Sequence, residues 1–265
     1  MSTPRYFIDT HCHFDFPPFV DDAAASVARA ADRDVRQIIV PAVTADRFDR
    51  VLALADQHEA LFAALGLHPL FIEQHSDAAL SRLAECLKQP HPKLVAIGEI
   101  GLDLYMENPH FERQKALLED QLYLAKQANL PVILHSRRTH DQLFSLLRKR
   151  ALPATGVVHG FAGSLAQAQA FVKLGYAIGV GGTITYERAQ KTRNTIAALP
   201  LSCLLLETDA PDMPLAGYQG QPNRPERAAQ VFEVLCQLRP EPPETLAAAL
   251  NANTRRVFNL PLLTD

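Results

Sequence analysis

Short apolar runs alternate with longer helical stretches eight times along the 265 residues, and that order predicts an α/β fold closed into a (β/α)8 TIM barrel. Two further observations support closure. Run after run ends in an imidazole or a carboxylate, as expected where a barrel gathers functional side chains at the C-terminal ends of its strands. The first run, moreover, leads into His11-Cys12-His13 and not into the Gly-rich phosphate turn of a doubly wound open sheet. Strict strand–helix alternation also calls for a parallel sheet with right-handed crossovers.

In chain order, strand one is read over Tyr6–Thr10 and is followed by a helix over Ala23–Asp32. Strand two, Arg36–Pro41, leads to helix Arg47–His58, and strand three, Phe62–Leu67, leads through His68-Pro69 to helix Ala78–Lys88. Strand four, Lys93–Glu99, precedes the longest helix, Phe111–Asn129. Asn129 suits a left-handed C-terminal position, and Leu130-Pro131 cannot continue the helix, so strand five starts at Pro131 and runs to His135. Helix His140–Arg150 and strand six, Thr155–His159, come next. Ser164 is placed to cap helix Leu165–Leu174, and Gly175 to end it. Strand seven, Tyr176–Val180, helix Glu187–Ala198 and strand eight, Cys203–Glu207, complete the set, with helices Pro225–Leu238 and Pro243–Phe258 after it. The Pro- and Gly-rich stretch Pro211–Pro225 follows strand eight directly, where a barrel carries a long loop at its active face, so residues 1–265 read as one domain.

The apolar fraction of 48% is enough for a large core, and the net charge of −3 argues against a coating or architectural role on DNA or an anionic membrane. Any contact with a nucleic acid is expected to be local. Cys12, Cys86, Cys203 and Cys236 show no C-x-x-C pair, and the N-terminus shows no secretory signature, so reduced thiols in the cytoplasm are expected. No run is long enough to span a bilayer, and a monomer is expected.

Six side chains carry the metal chemistry in this reading: His11, His13, Glu99, His135, His159 and Asp209. His11 and His13 share a face because strand side chains alternate, which turns Cys12 the other way as a packed thiol. Glu99 stands between Gly98 and Gly101, which let the backbone bend and approach a ligand, and its two oxygens suit it to bridge two cations. His135 and His159 close strands five and six and converge on the same mouth. Asp209 ends strand eight, where it can bind a cation and take a proton from an activated water. Glu207 and Asp9 lie one layer deeper as carboxylates that support the ligands or the fold, and His68 faces the cleft, either to hydrogen-bond the scissile group or the leaving oxygen or to cap a helix before Pro69. Arg137, Arg138 and Arg224 stand at the rim, where phosphates would pass. Four histidines and two carboxylates serve two divalent ions with positions left open, and imidazole-rich ligation favours Zn²⁺ or Mn²⁺ over Mg²⁺. Two cations bracketing a hydroxide suit hydrolysis of phosphate esters.

The ordered set Ile8-Asp-Thr-His-Cys-His-Phe-Asp15, Gly66-Leu-His-Pro69, Gly98-Glu-Ile-Gly-Leu-Asp103, Leu134-His-Ser-Arg137, His159-Gly-Phe-Ala-Gly-Ser164 and Glu207-Thr-Asp-Ala-Pro211 resembles the TatD family of metal-dependent deoxyribonucleases from near residue 6 to near residue 260. The resemblance implies a barrel of the amidohydrolase type. It implies one metal at His11, His13, Glu99 and Asp209 and a second at Glu99, His135 and His159. It also implies a 3′→5′ exonuclease acting on single-stranded or frayed DNA ends. Asp209, Glu99 and His68 form the catalytic set in the reading of the residues themselves. Where the family commonly has an aromatic residue straight after Gly-Leu-Asp, this chain has Leu104 and then Tyr105. Two other readings keep the same chain: a metal-dependent hydrolase of another ester or amide, such as an aminoacyl ester on tRNA, and a non-catalytic binding barrel.

Overall fold

Eight strands pair in parallel in the order of the sequence: β1 Phe7–Asp9, β2 Val35–Pro41, β3 Leu61–Leu65, β4 Leu94–Asp103, β5 Val132–Arg137, β6 Gly156–Val158, β7 Ala177–Val180 and β8 Leu204–Leu206. The helices are α1 Ala23–Ala31, α2 Phe48–Gln57, α3 Asp77–Cys86, α4 Phe111–Ala128, α5 His140–Lys149, α6 Leu165–Lys173, α7 Gln190–Ala198, α8 Ala228–Leu238 and α9 Pro243–Phe258. This computed structural model describes residues 5–263, so residues 1–4 and 264–265 of the expected single domain lie outside the described residues.

The (β/α)8 arrangement is as expected, and the seam between β8 and β1 closes mostly beyond the ends of those two strands. Thr10 N–H donates to Leu206 O at 3.0 Å, Asp209 N–H to His11 O at 2.8 Å, and His13 N–H to Ala210 O at 2.8 Å. Asp9 adds a side-chain clasp, its carboxyl accepting from Thr208 N–H at 2.9 Å and from the Thr208 hydroxyl at 2.6 Å. The sequence places Asp9 under the cleft; the structure spends it on this seam. Because the last bonds form at the C-terminal mouth, backbone pairing brings His11, His13 and Asp209 side by side.

One apolar cluster lies between the strands and the helices. A second takes at least one residue from every strand, including Ile8, Ile39, Phe62, Val95, Ile133, Val157, Ala177 and Leu205, and is joined by Phe258 and Leu260. It fills the barrel below the polar mouth. Cys12 is fully buried and belongs to the outer cluster, as a packed thiol should.

Local chemistry accounts for most boundaries. Ser164 and Gln167 form a reciprocal capping box at the start of α6, Asn129 adopts φ 51° after α4, and Gly175 takes φ 95° after α6. Strand β4 departs from expectation. It does not stop at Glu99 but continues to Asp103, with an irregular register against β5 between Ile97 and Ile100. The glycines explain the continuation. A Cβ on Gly101, whose φ is 149°, would stand 1.9 Å from His135 O, and one on Gly98 would stand 2.6 Å from Ile133 Cβ. They let β4 lie tight against β5, so that Glu99 and Asp103 both reach the mouth. At the other ends, β1 and β8 are shorter than read, because the residues past Asp9 and Leu206 turn into the seam and site.

Gly101→Ala is expected to destabilise the protein by at least about 3 kcal/mol, from the clash and the unfavourable φ together. Urea unfolding checks this; an unchanged midpoint would show that β4 and β5 have room to part.

Candidate metal centre

Glu99, 1% exposed, sits where β4 is irregular and points into the mouth between two groups of donors. Its Oε2 lies 3.1 Å from His11 Nε2 and 3.2 Å from His13 Nε2. Those two nitrogens are 3.3 Å apart, and each is 3.4 Å from Asp209 Oδ1. Ligands at about 2.1 Å from one ion stand about 3.0–3.4 Å from each other, so these separations are the edges of a single coordination shell. The other oxygen, Oε1, faces His159 Nε2 at 2.7 Å, His68 Nε2 at 3.0 Å and His135 Nδ1 at 3.3 Å. The two oxygens of one carboxylate thus serve two separate sets of imidazoles.

Hydrogen bonds on the far side of each ring decide which nitrogen is free for a cation. His13 Nδ1 meets Pro41 O at 3.1 Å and donates there, leaving Nε2 for the mouth. His135 donates Nε2–H to Asp103 Oδ2 at 2.6 Å, leaving Nδ1. His159 turns Nδ1 toward Glu207 Oε1, 3.6 Å away, and its Nε2 inward. His68 is the opposite case. Its Nδ1 accepts from Leu70 N–H at 3.0 Å, so the proton sits on Nε2, which donates to Glu99. Although it stands beside Glu99 and His135, its tautomer makes His68 a donor in this arrangement and not a ligand.

The electrostatics agree. Burial pulls the His68 imidazole down to about 4, with Glu99 opposing and His135 adding to the fall, so it stays neutral. Burial also works against charge on His13 and His159, but Asp209 and Glu99 around the first, and Glu99 and Glu207 around the second, outweigh it and hold both well above the ordinary imidazole range. Desolvation works against the Glu99 anion; its surrounding imidazoles, His68, His159 and His11, outweigh it and hold it well below the usual carboxylate range. Asp209 is also depressed, chiefly by its hydrogen bond with His13 set against burial.

Three residues that brace the centre carry no role in the sequence reading. Asp103 is fully buried and accepts from both His135 and Tyr105 N–H, the latter at 2.7 Å. Its signal was the two-residue strand period from Glu99 through Gly101, hidden by the expectation that β4 ends at Glu99. Gln114 and Gln121, each 1% exposed and two turns apart on α4, clamp backbone instead of side chains. Gln114 accepts from Asp103 N–H and donates to Asp103 O, both at 2.8 Å, while Gln121 accepts from Leu67 N–H at 2.8 Å, beside His68. A buried glutamine pair on the inner face of a helix was the available signal. Glu207 lies under the centre as expected; it accepts from Gly160 N–H, below the stacked rings of His11 and His159, whose centroids are 3.8 Å apart.

The mouth opens into a cleft of about 510 Å³ lined by His13, His68, Glu99, His135, His159 and Asp209, with Phe161, Ile184 and Met213 as apolar wall. Arg137 lines it too, whereas Arg224 is paired with Glu226 at 2.8 Å. The loop after β8 is pinned by Asn223, which donates to Thr208 O and Met213 O, and by the Tyr186 hydroxyl bonded to Pro214 O. The donor set of imidazoles and carboxylates without thiolate, at coordination-shell spacing, fits borderline divalent cations. Among the described residues, three overlapping groups have ligand atoms within 4.8 Å of one another and could hold a cation: His11, His13 and Glu99; His68, Glu99 and His135; and His11, His159 and Glu207, so that His159 groups with His11 and Glu207 and not, as expected, with Glu99 and His135.

Residues 8–259 match the family model described as TatD related DNase. The chain is 64% identical to a protein of Escherichia coli (strain K12) named uncharacterized metal-dependent hydrolase YjjV, over 96% of this chain and 98% of that one. It is 46% identical to an uncharacterized metal-dependent hydrolase of Haemophilus influenzae, over 96% of this chain and all of the relative (100%). The crystal structure of the Escherichia coli YjjV protein, a TatD homologue, superposes with a TM-score of 0.95 across 96% of this chain and 98% of that one.

Protons held on His13 and His159 in the metal-free protein must leave when a cation binds, so uptake is expected to release protons, to tighten as pH rises and to weaken on acidification. Calorimetric titration in two buffers of different ionisation enthalpy reads the proton count, and equal heats would contradict this charge arrangement. Asp103→Ala is expected to weaken loading at the Glu99 Oε1 group by about 10- to 100-fold, because His135 loses the acceptor that orients it. Stepwise metal titration should show the His11–His13 group unaffected.

Proposed function

The chain belongs to the TatD related DNase family, and from that premise we propose that it is a metal-dependent hydrolase that cleaves phosphodiesters at DNA ends from the 3′ side, using two divalent cations. The observation that carries the reading is Glu99, whose two oxygens each face their own set of imidazoles at 2.7 to 3.3 Å. A structural site would close its shell; this one opens onto a cleft. When bound, the cations supply Lewis-acid polarisation of the phosphoryl oxygens and make an attacking water more acidic.

The chain's own groups supply the remainder. Asp209 has a side chain 21% exposed against 2% for Glu99, so it is the carboxylate that reaches the cleft. Held ionised by His13, it takes the proton of the attacking water. Glu99, shielded from solvent, keeps the two ligand sets in register. His68, neutral and with its proton on Nε2, offers a hydrogen bond to the leaving oxygen without adding a second charge. Phe161, Ile184 and Met213 limit bulk water on the far wall. The local character of the polar mouth, in a chain of net charge −3, fits an enzyme that grips a few phosphates at an end.

The test is turnover on 5′-labelled single-stranded DNA with Mg²⁺, Mn²⁺ and Zn²⁺ supplied separately. A ladder shortening from the 3′ end is expected, abolished in Glu99→Ala and reduced at least about 100-fold in Asp209→Asn. Hydrolysis of bis(p-nitrophenyl) phosphate without cleavage of DNA would keep the hydrolase and discard DNA as its substrate. Full activity in Asp209→Asn would remove that residue from proton transfer.

A further inference from the structure

Beside the metal cleft, where β4 and β5 end, three side chains stand in a column. The Arg137 guanidinium lies 3.8 Å from the centre of the Tyr105 ring, and the Arg138 guanidinium lies 4.4 Å from it. Tyr105 is a large aromatic left 50% exposed. Among the described residues neither guanidinium has an ion-pair partner, and the nearby carboxylates Glu99 and Asp103 are already committed to histidines. Two cations stacked on one ring, with their N–H edges unspent, form a preorganised anion clamp.

The backbone fixes the column to the centre. Asp103 receives His135 Nε2–H on one oxygen and Tyr105 N–H on the other, so the same carboxylate orients a candidate ligand and the ring. Leu104 N–H donates to Arg137 O at 3.0 Å, tying the two chain segments together. Arg138 holds a left-handed backbone with φ 59°, a conformation rare for arginine. The column also bridges two hollows. Arg137 lines the metal cleft, while Tyr105 and Arg138 line an adjoining depression of about 390 Å³ that Glu107 also borders.

We infer that Tyr105, Arg137 and Arg138 form a subsite for the phosphate next to the scissile one, so that the enzyme recognises a strand of successive phosphates and not an isolated diester. Arg137 lies two residues beyond His135 on β5, on the order of 6.6 Å along the strand, a step comparable with that between neighbouring phosphates of an extended chain. Glu107 beyond the column opposes a further anion, which limits the subsite to one phosphate. Tyr105 acts by positioning: its ring holds both guanidiniums close, so the phosphate meets them without first ordering them. This inference rests on the phosphodiesterase reading.

The test measures binding to metal-loaded protein of a trideoxynucleotide made with hydrolysis-resistant phosphorothioate linkages. A second trinucleotide carries a neutral methylphosphonate in place of the linkage farther from the 3′ end. Wild type is expected to bind the fully charged trinucleotide about tenfold more tightly than the methylphosphonate version. In Arg137→Ala and Arg138→Ala that preference should collapse, and the slope of log affinity against log salt should fall by about 0.7 for each contact removed. Tyr105→Ala should weaken binding of the charged trinucleotide about two- to fivefold, whereas Tyr105→Phe, which keeps the ring, should not. Absence of the preference in wild type, its survival in both arginine variants, or failure of wild type to bind either trinucleotide would overturn the subsite. The phosphodiesterase reading fails separately, if loaded wild type hydrolyses neither DNA nor bis(p-nitrophenyl) phosphate.

Discussion

A carboxylate almost wholly withdrawn from water remains ionised only where positive charge or hydrogen-bond donors meet both of its oxygens, and Glu99 is such a group. Five imidazole nitrogens stand within 3.3 Å of it, two on one oxygen and three on the other. Among the described residues it is the one carboxylate that both groups of imidazoles share. The irregular register of β4 and the close fit at Gly98 and Gly101 follow from it, since they bring Glu99 to the mouth. So does the seam of β8 on β1, which delivers His11, His13 and Asp209 to one of its oxygens through backbone pairing.

Around that anion the scaffold works mainly through the outer faces of the histidines. Pro41 O, Asp103 and Glu207 each face the ring nitrogen turned away from the mouth, and so determine which nitrogen looks inward. Leu70 N–H does the reverse for His68 and makes it a donor. The same residue type therefore serves two purposes within a few ångströms, and the difference lies in one backbone amide. Helix α4 contributes at a further remove, with Gln114 and Gln121 gripping the backbone next to Asp103 and His68. Main-chain groups held this way cannot drift, which is what a centre with narrow distance tolerances requires.

The mouth joins two environments of different character. One wall, with Phe161, Ile184 and Met213, is apolar; the β4–β5 edge is basic, with Arg137 and Arg138 stacked on Tyr105. Asp103 touches both the centre and this edge, so the rim and the centre share one buried carboxylate. The basic edge is thus local, in a chain whose net charge is −3.

Fold class and element order were legible in the residues because hydrophobic period and turn chemistry are local signals, as the Ser164 cap, Asn129 and Gly175 illustrate. The six side chains that the structure gathers at the mouth were also legible, since each stands at or just beyond an apolar run and the ends of a parallel barrel converge. Tertiary structure decided what depends on a neighbour's atoms. The extension of β4 past Glu99 needs the carbonyl of His135 close at hand, and the assignment of Asp9 to the seam needs Thr208. The tautomer of His68 needs the amide of Leu70 in place, and the clamp at Tyr105 needs two strand ends side by side. Sequence alone determined which chemistry the chain carries and at which end of the sheet. Distance and hydrogen-bond direction, which exist only once strands and helices pack, decided which atom of each side chain faces the mouth and which faces the protein.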